Sequence, residues 1–262
     1  MTLGWILAAS FAGGTLSAAL AAFSLYLRAS WIPMLVSFAI GTLLGAAFLE
    51  VIPAAFDQGD AHEAASAILG GIFGFFVLEK LMLWRHCHTE DCEAHDPHQL
   101  GTSAGSGTAA HDHGRSGALI IVGDTIHNFV DGVLIAAAFL QGTEIGIVAA
   151  VAIIAHEIPQ EVGDFLILLH SGYTRARALA MNLLSSLATL VGGLLGYYGL
   201  QAFEGLEPTL LGIVGASMIY VAVADLIPGL HRRPQFRDGA TQTLLIALGI
   251  GCIVLVRVMV AH

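Results

Sequence analysis

The chain has 262 residues, of which 56% are hydrophobic and only 11% charged, with a formal net charge of −10 and a mean hydropathy of +0.78. Soluble domains carry about 25% charged residues, so a water-soluble globular protein is excluded and an integral membrane protein is expected. No nucleic-acid partner is expected of so acidic a chain. The 31 glycines suit close helix packing in lipid, where small residues let backbones approach. The three cysteines make no disulfide framework, because Cys252 stands in an apolar run and Cys87 and Cys92 share one polar stretch.

In chain order, eight segments reach the ~20 residues that a helix needs to cross a bilayer: 3–27, 31–56, 64–84, 117–140, 144–170, 174–200, 208–230 and 240–260. The first starts almost at once, without a basic leader, and is read as a span and not a cleaved signal. Transmembrane strands would be shorter and alternate apolar with polar residues, so the expected fold is all-α. Short joins such as Gln141-Gly142-Thr143 and Ser171-Gly172-Tyr173 favour antiparallel neighbours. The chain divides into helices 1–3 (1–84), a polar loop (85–116), central helices 4–5 (117–170) and helices 6–8 (171–262).

Basic residues set the orientation. Arg28, Lys80, Arg85, Arg115, Arg175, Arg177, Arg232, Arg233 and Arg237 all fall on the side of the odd-numbered connections, and Arg257 is the exception. The opposite connections hold Asp57, Asp60, Glu63, Glu144, Glu204 and Glu207. Odd connections are therefore expected in the cytoplasm and both termini outside, in a plasma or bacterial inner membrane. The loop 85–116 contains His86, Cys87, His88, Cys92, His95, His98, His111 and His113 among Gly, Ser, Thr and Ala. Such a composition cannot build a core, and its histidines suit metal capture or sensing.

The second span contains Glu50-Val-Ile-Pro53 and the seventh Asp225-Leu-Ile-Pro228, each a carboxylate three residues before proline. These spans cross the membrane in opposite senses. A 3+2+3 inverted repeat around a central helix pair is a common transporter plan.

The central pair carries the chemistry. It contains Asp124-Thr-Ile-His127-Asn128-Phe-Val-Asp131-Gly, then an apolar run, then His156-Glu157-Ile-Pro159-Gln160-Glu161-Val-Gly-Asp164. Ionisable groups in mid-membrane face a partner, a cavity or an ion path. His127 and Asp131 are four residues apart, as are His156 and Gln160, so each pair lies on one helical face. Nitrogen with carboxylate oxygen suits Zn²⁺ and similar ions. A hydrogen-bonded His–Asp pair that merely locks packing is the simpler alternative, but two histidines and several carboxylates in one low-dielectric region call for a cation. Asn128 and Glu157 are placed for a second, oxygen-rich subsite with Gln160 as a bridge. Asp124, Asp164, Glu161, Glu50 and Asp225 are candidates for the ion path, and Glu79 and Lys80 are expected to snorkel. Pro159 removes one helix hydrogen bond and crowds the carbonyl of Ala155. An intramembrane protease is the enzyme alternative, since His156-Glu157 begins an H-E-x-x-H pattern, yet Gln160 replaces its second histidine. A cation exporter would need cytoplasmic termini, and a metal sensor would use loop 85–116 as its reader.

At these residues the chain resembles the ZIP (Zrt-, Irt-like) family of metal transporters, as a prokaryotic member. His127-Asn128-Phe129-Val130-Asp131-Gly132 resembles its fourth-span signature and His156-Glu157-Ile158-Pro159-Gln160-Glu161 its fifth. Gly163-Asp164-Phe165 and Tyr220-Val221-Ala222-Val223-Ala224-Asp225 look most like its zinc-preferring animal branch. The resemblance implies transport and not catalysis: import of Zn²⁺, with Cd²⁺, Fe²⁺ and Mn²⁺ as further cargo, and no organic cofactor. It implies a centre of His127, Asp131, His156 and Gln160, with Asn128 and Glu157 at a neighbouring site. It also implies two helix bundles moving in elevator fashion, often as a homodimer in the lipid bilayer. Two departures stand out. Gln160 takes a place where that branch usually has His, and the sixth span offers Asn182, Ser185, Ser186 and Thr189 where some members supply a carboxylate.

Overall fold

The computed structural model describes residues 1–24, 31–86, 113–202, 206–231 and 236–260. The histidines His88, His95, His98 and His111 lie outside the described residues, as do the side chains of His86 and His113. Helices run in the order α1 (Thr2–Phe23), α2 (Ile32–Ala46), α3 (Ile52–Gln58), α4 (Ala61–His86), α5 (His113–Gln141), α6 (Thr143–His170), α7 (Arg175–Leu200), α8 (Glu207–Tyr220), α9 (Ile227–His231) and α10 (Phe236–Val260). Eight stretches are long and apolar enough to cross a membrane, among them Ile32–Gln58 and Pro208–Leu230. The expected spans are therefore present, the ends shifting by a few residues; α1, for example, closes at Phe23.

Local chemistry explains the ends. Pro33 and Pro208 occupy first-turn positions of α2 and α8, where a missing N–H costs nothing. Thr174 caps α7 by accepting from the Arg177 N–H at 3.3 Å, which satisfies one of the unpaired first-turn donors. Gly142, at φ 153°, joins α5 to α6 in a single residue, a conformation that side chains resist. This joint folds α5 and α6 into an antiparallel hairpin.

The two proline echoes share one distortion. A π-helical turn over Ala47–Val51 precedes Pro53, and another over Val221–Leu226 precedes Pro228. Proline crowds the carbonyl four residues back and offers it no hydrogen bond, and one extra residue in that turn relieves the crowding. π-Bulges recur at functional sites, and these two hold Glu50 and Asp225. Pro159 differs, since α6 runs unbroken through it.

Packing divides the helices into two groups. α1, α5, α6 and α7 pack on one another, with α5 and α7 in the most extensive contact, while α2 packs on α10 and α4 on α8. α2 against α6 is the main seam between the groups. The tightest crossings are made by glycine. A Cβ added to Gly132 would overlap the Thr189 carbonyl, and one added to Gly192 the Phe129 carbonyl. In the other group, Gly41 meets the Ile246 carbonyl and Gly249 the Phe38 carbonyl in the same way. At the edge, α4 and α10 leave Leu69, Phe73, Leu244 and Leu255 exposed, as lipid-facing helices do.

Candidate metal centre

Antiparallel α5 and α6 bring His127, Asp131 and His156 together. His127 Nε2 and His156 Nε2 are 3.2 Å apart. Asp131 Oδ2 lies 3.4 Å from the first nitrogen and 3.2 Å from the second. Among the described residues, this is the one group of three His, Cys, Asp or Glu donors close enough to share an ion. The spacing is informative. Zinc bonds of about 2.0–2.1 Å in tetrahedral geometry set ligand atoms about 3.3–3.4 Å apart, so the three atoms occupy three corners of a zinc-sized tetrahedron. Asp131 and His156 are buried, while His127 remains 23% exposed, so the group is least covered on the His127 side.

The other expected residues take distinct places. Gln160, one turn after His156, is half-buried and directs its amide nitrogen to Asp124 Oδ1 at 3.5 Å. Asn128 is engaged within its own bundle: its amide nitrogen donates to Asp124 Oδ1 at 2.9 Å and to the Asp124 backbone oxygen at 3.1 Å. Its carbonyl oxygen accepts from Thr189 Oγ1 at 3.1 Å. Glu157 points to α1 at Gly13, where an added Cβ would lie 3.2 Å from its Oε2, and its Oε1 is buried without a hydrogen-bond partner. Glu161 accepts from Ser186 Oγ at 2.9 Å through one oxygen and leaves the other unpartnered. Thus α6 shows His156 to α5 and its two glutamates to α1 and α7.

Further out, Asp164 is half-buried and stands in electrostatic range of Asp124 and His127. Asp225, on the second π turn, acts on His127 from the other helix group. Glu50 is ion-paired with Arg257, Oε2 to Nε 2.8 Å, so the single arginine on the acidic side of the chain faces a carboxylate from the first π turn. Lys80 lies over the Phe76 ring, 5.8 Å from its centroid, as a snorkelling side chain does. Glu79 does more than reach for the interface, because it accepts a hydrogen bond from the Tyr220 hydroxyl.

Sequence reasoning missed the partners. Ser10 Oγ is buried and unpartnered on α1, within the small-residue stripe Ser10, Gly13, Gly14, Ser17 whose spacing marks a helix contact. The Glu50–Arg257 pair had no local signal. Ionisable side chains in both spans were the only signal that pointed to such a pair.

On the half of the hairpin near Gly142, Leu134, Ile135, Phe139, Ile145, Val148 and Ile153 close into the apolar core. The carboxylates Asp124 and Asp164 line the other half.

Comparisons with known proteins agree with this picture. The family model described as "ZIP Zinc transporter" matches residues 2–257. Over 245 residues the chain is 32% identical to Zinc transporter ZIP13 of Pongo abelii, covering 86% of this chain and 67% of that protein. It is 31% identical to Zinc transporter ZIP13 of Homo sapiens, covering 86% and 71%. It is 27% identical to Zinc transporter YKE4 of Saccharomyces cerevisiae, covering 85% and 70%.

Proposed function

This chain belongs to the ZIP zinc transporter family, and from that premise we propose that it carries Zn²⁺ into the cytoplasm through the centre formed by His127, Asp131 and His156, with Gln160 as a neutral fourth ligand. The carrying observation is the spacing of the three donor atoms, 3.2–3.4 Å apart in the middle of two spans. A carrier must bind without trapping. Closed thiolate sites hold structural zinc, whereas this site has two imidazoles, one carboxylate and a weak amide, which favours release. Cd²⁺, Fe²⁺ and Mn²⁺ are further cargo by the same chemistry.

Direction follows from geometry joined to the basic residues. The His127 side of the centre meets Asp124, Asp164 and Asp225, and the Gly142 side is packed with apolar residues. The positive-inside rule supports a cytoplasmic carboxylate side and external termini, with release of the ion toward the carboxylates. Pairings of α2 with α10, α4 with α8, α1 with α6 and α5 with α7 are those an inverted repeat interchanges, which supports a 3+2+3 plan and alternating access. Glu161, Glu50 and the loop histidines remain candidates for an accessory path and for cytoplasmic capture. The homodimer is part of the same proposal.

Uptake into proteoliposomes holding a zinc-sensitive dye tests the reading. Wild-type protein is expected to fill the vesicles, and His127→Ala and His156→Ala, folded to the same elution profile, are expected not to. Uptake undiminished in both variants would move the path away from these helices.

A further inference from the structure

We propose that Asp124 is a positioning residue for the metal centre: its carboxylate grips the Gln160 amide by the nitrogen, so that Gln160 presents its carbonyl oxygen to the cation. This rests on the centre proposed above and names what controls its weakest ligand. An amide has two ends, and only the carbonyl oxygen can bind a cation, because the NH₂ group is a donor. Left alone, Gln160 could turn either end to the centre. The nitrogen end faces Asp124 Oδ1 at 3.5 Å, the outer limit of hydrogen-bond distance, so a small approach on ion binding completes the bond.

Asp124 is itself held. Asn128 donates to both its carboxylate and its backbone oxygen, and the Thr189 hydroxyl donates to Asn128. The network therefore spans α7, α5 and α6: the Thr189 hydroxyl donates to the Asn128 amide oxygen, and the Asn128 and Gln160 amide nitrogens both donate to the Asp124 carboxylate. Every member except Gln160 is buried. Outer partners of this kind fix ligand orientation and typically contribute about 10–100-fold in metal affinity. This network gives Asn128 an orienting place one step removed from the ion. It also separates Asp124 from a simple relay acid, since one of its oxygens already serves two amides.

The test is a set of zinc-uptake curves in proteoliposomes, with zinc binding in detergent measured by dye competition. Asp124→Ala is expected to raise KM about tenfold with the maximal rate kept. Asp124→Asn retains an accepting oxygen and is expected to keep the wild-type KM. In a Gln160→Ala background, Asp124→Ala is expected to add nothing. Two results would overturn the inference: Asp124→Asn as damaging as Asp124→Ala, or Asp124→Ala equally costly with Gln160 absent. If Asp124→Ala fails to fold, Asp124→Ser, too short to span both amides, replaces it under the same expectations. His127→Ala and His156→Ala run in parallel. If they keep full uptake, the centre itself is wrong. If they lose uptake while the Asp124 pattern fails, only this inference falls.

Discussion

The two helix groups solve the same membrane problem with opposite chemistry. In the group of α1, α5, α6 and α7, buried polar side chains are abundant and include Asp124, Asn128, Asp131, His156, Glu157, Glu161 and Asn182. In the group of α2, α4, α8 and α10, the described buried polar residues are Ser37, Thr42 and Ser217. Each of those three bonds a carbonyl of its own helix: Pro33, Ala39 and Val214, respectively. Burying a polar group without a partner costs roughly 1–3 kcal/mol or more, so the first group must gain something from its many polar groups. Cation binding, as proposed for His127, Asp131 and His156, supplies that gain. The second group behaves as an apolar frame, its ionisable residues either paired, as with Glu50 and Arg257, or turned toward the first group, as with Asp225.

The sharpest way to break this contrast is to remove a ligand. His156→Ala should lower zinc uptake at least about 100-fold, more than the loss of an outer partner costs, whereas Ser37→Ala in the frame, which loses only a bond to its own helix, should leave KM within about twofold. Uptake assays on both variants decide it.

Next come the crossings, where the two groups should behave alike. Gly132→Val in one and Gly249→Val in the other each drive a side chain into a backbone carbonyl. Each should destabilise the fold by at least about 1–3 kcal/mol, seen as a lower melting midpoint in detergent. A frame variant that melts at the wild-type temperature would mean the α2–α10 crossing is less constrained than its geometry requires.

Acid should separate the groups again. Histidine binds a metal only as the neutral imidazole. Zinc affinity should therefore be highest at neutral pH and above. It should fall as pH drops, by about tenfold per pH unit for each proton that must be displaced. Dye-competition binding between pH 5.5 and 7.5 measures the slope, and a flat profile would remove the histidines from the site.

The smallest effect compares two buried threonines. Thr189→Val breaks the hydrogen bond to Asn128 and should cost about 1 kcal/mol, with a several-fold rise in zinc KM. Thr42→Val loses only a bond to its own helix and should stay within about 0.5 kcal/mol with KM unchanged.

These outcomes bear on what the sequence could tell. The spans were legible because the bilayer imposes one length and one hydropathy on every helix. The meeting of His127, Asp131 and His156 was legible because donors four residues apart on one helix, facing a neighbour across a one-residue joint, need no long-range information. The π turns were half legible: proline after a carboxylate flagged both places, but the extra residue in the turn is a backbone response that appears only on folding. The engagement of Asn128 with Asp124 and Thr189 was hidden, since an amide beside a metal-type histidine looks equally like a ligand. The pairing of Glu50 with Arg257 joins nearly opposite ends of the chain, and only the packing of α2 on α10 reveals it.

The glycine crossings have one more consequence, for motion. A helix sliding past its neighbour by a single residue moves about 1.5 Å along its axis. At Gly132 and Gly192 that slide would replace a hydrogen with a side chain against a carbonyl oxygen. α5 and α7 are thus interlocked and must travel as one rigid body, and so must α2 and α10. No glycine of this kind locks α2 to α6 among the described residues. In the alternating access proposed above, displacement of the α1, α5, α6 and α7 group against the frame should be concentrated at that seam.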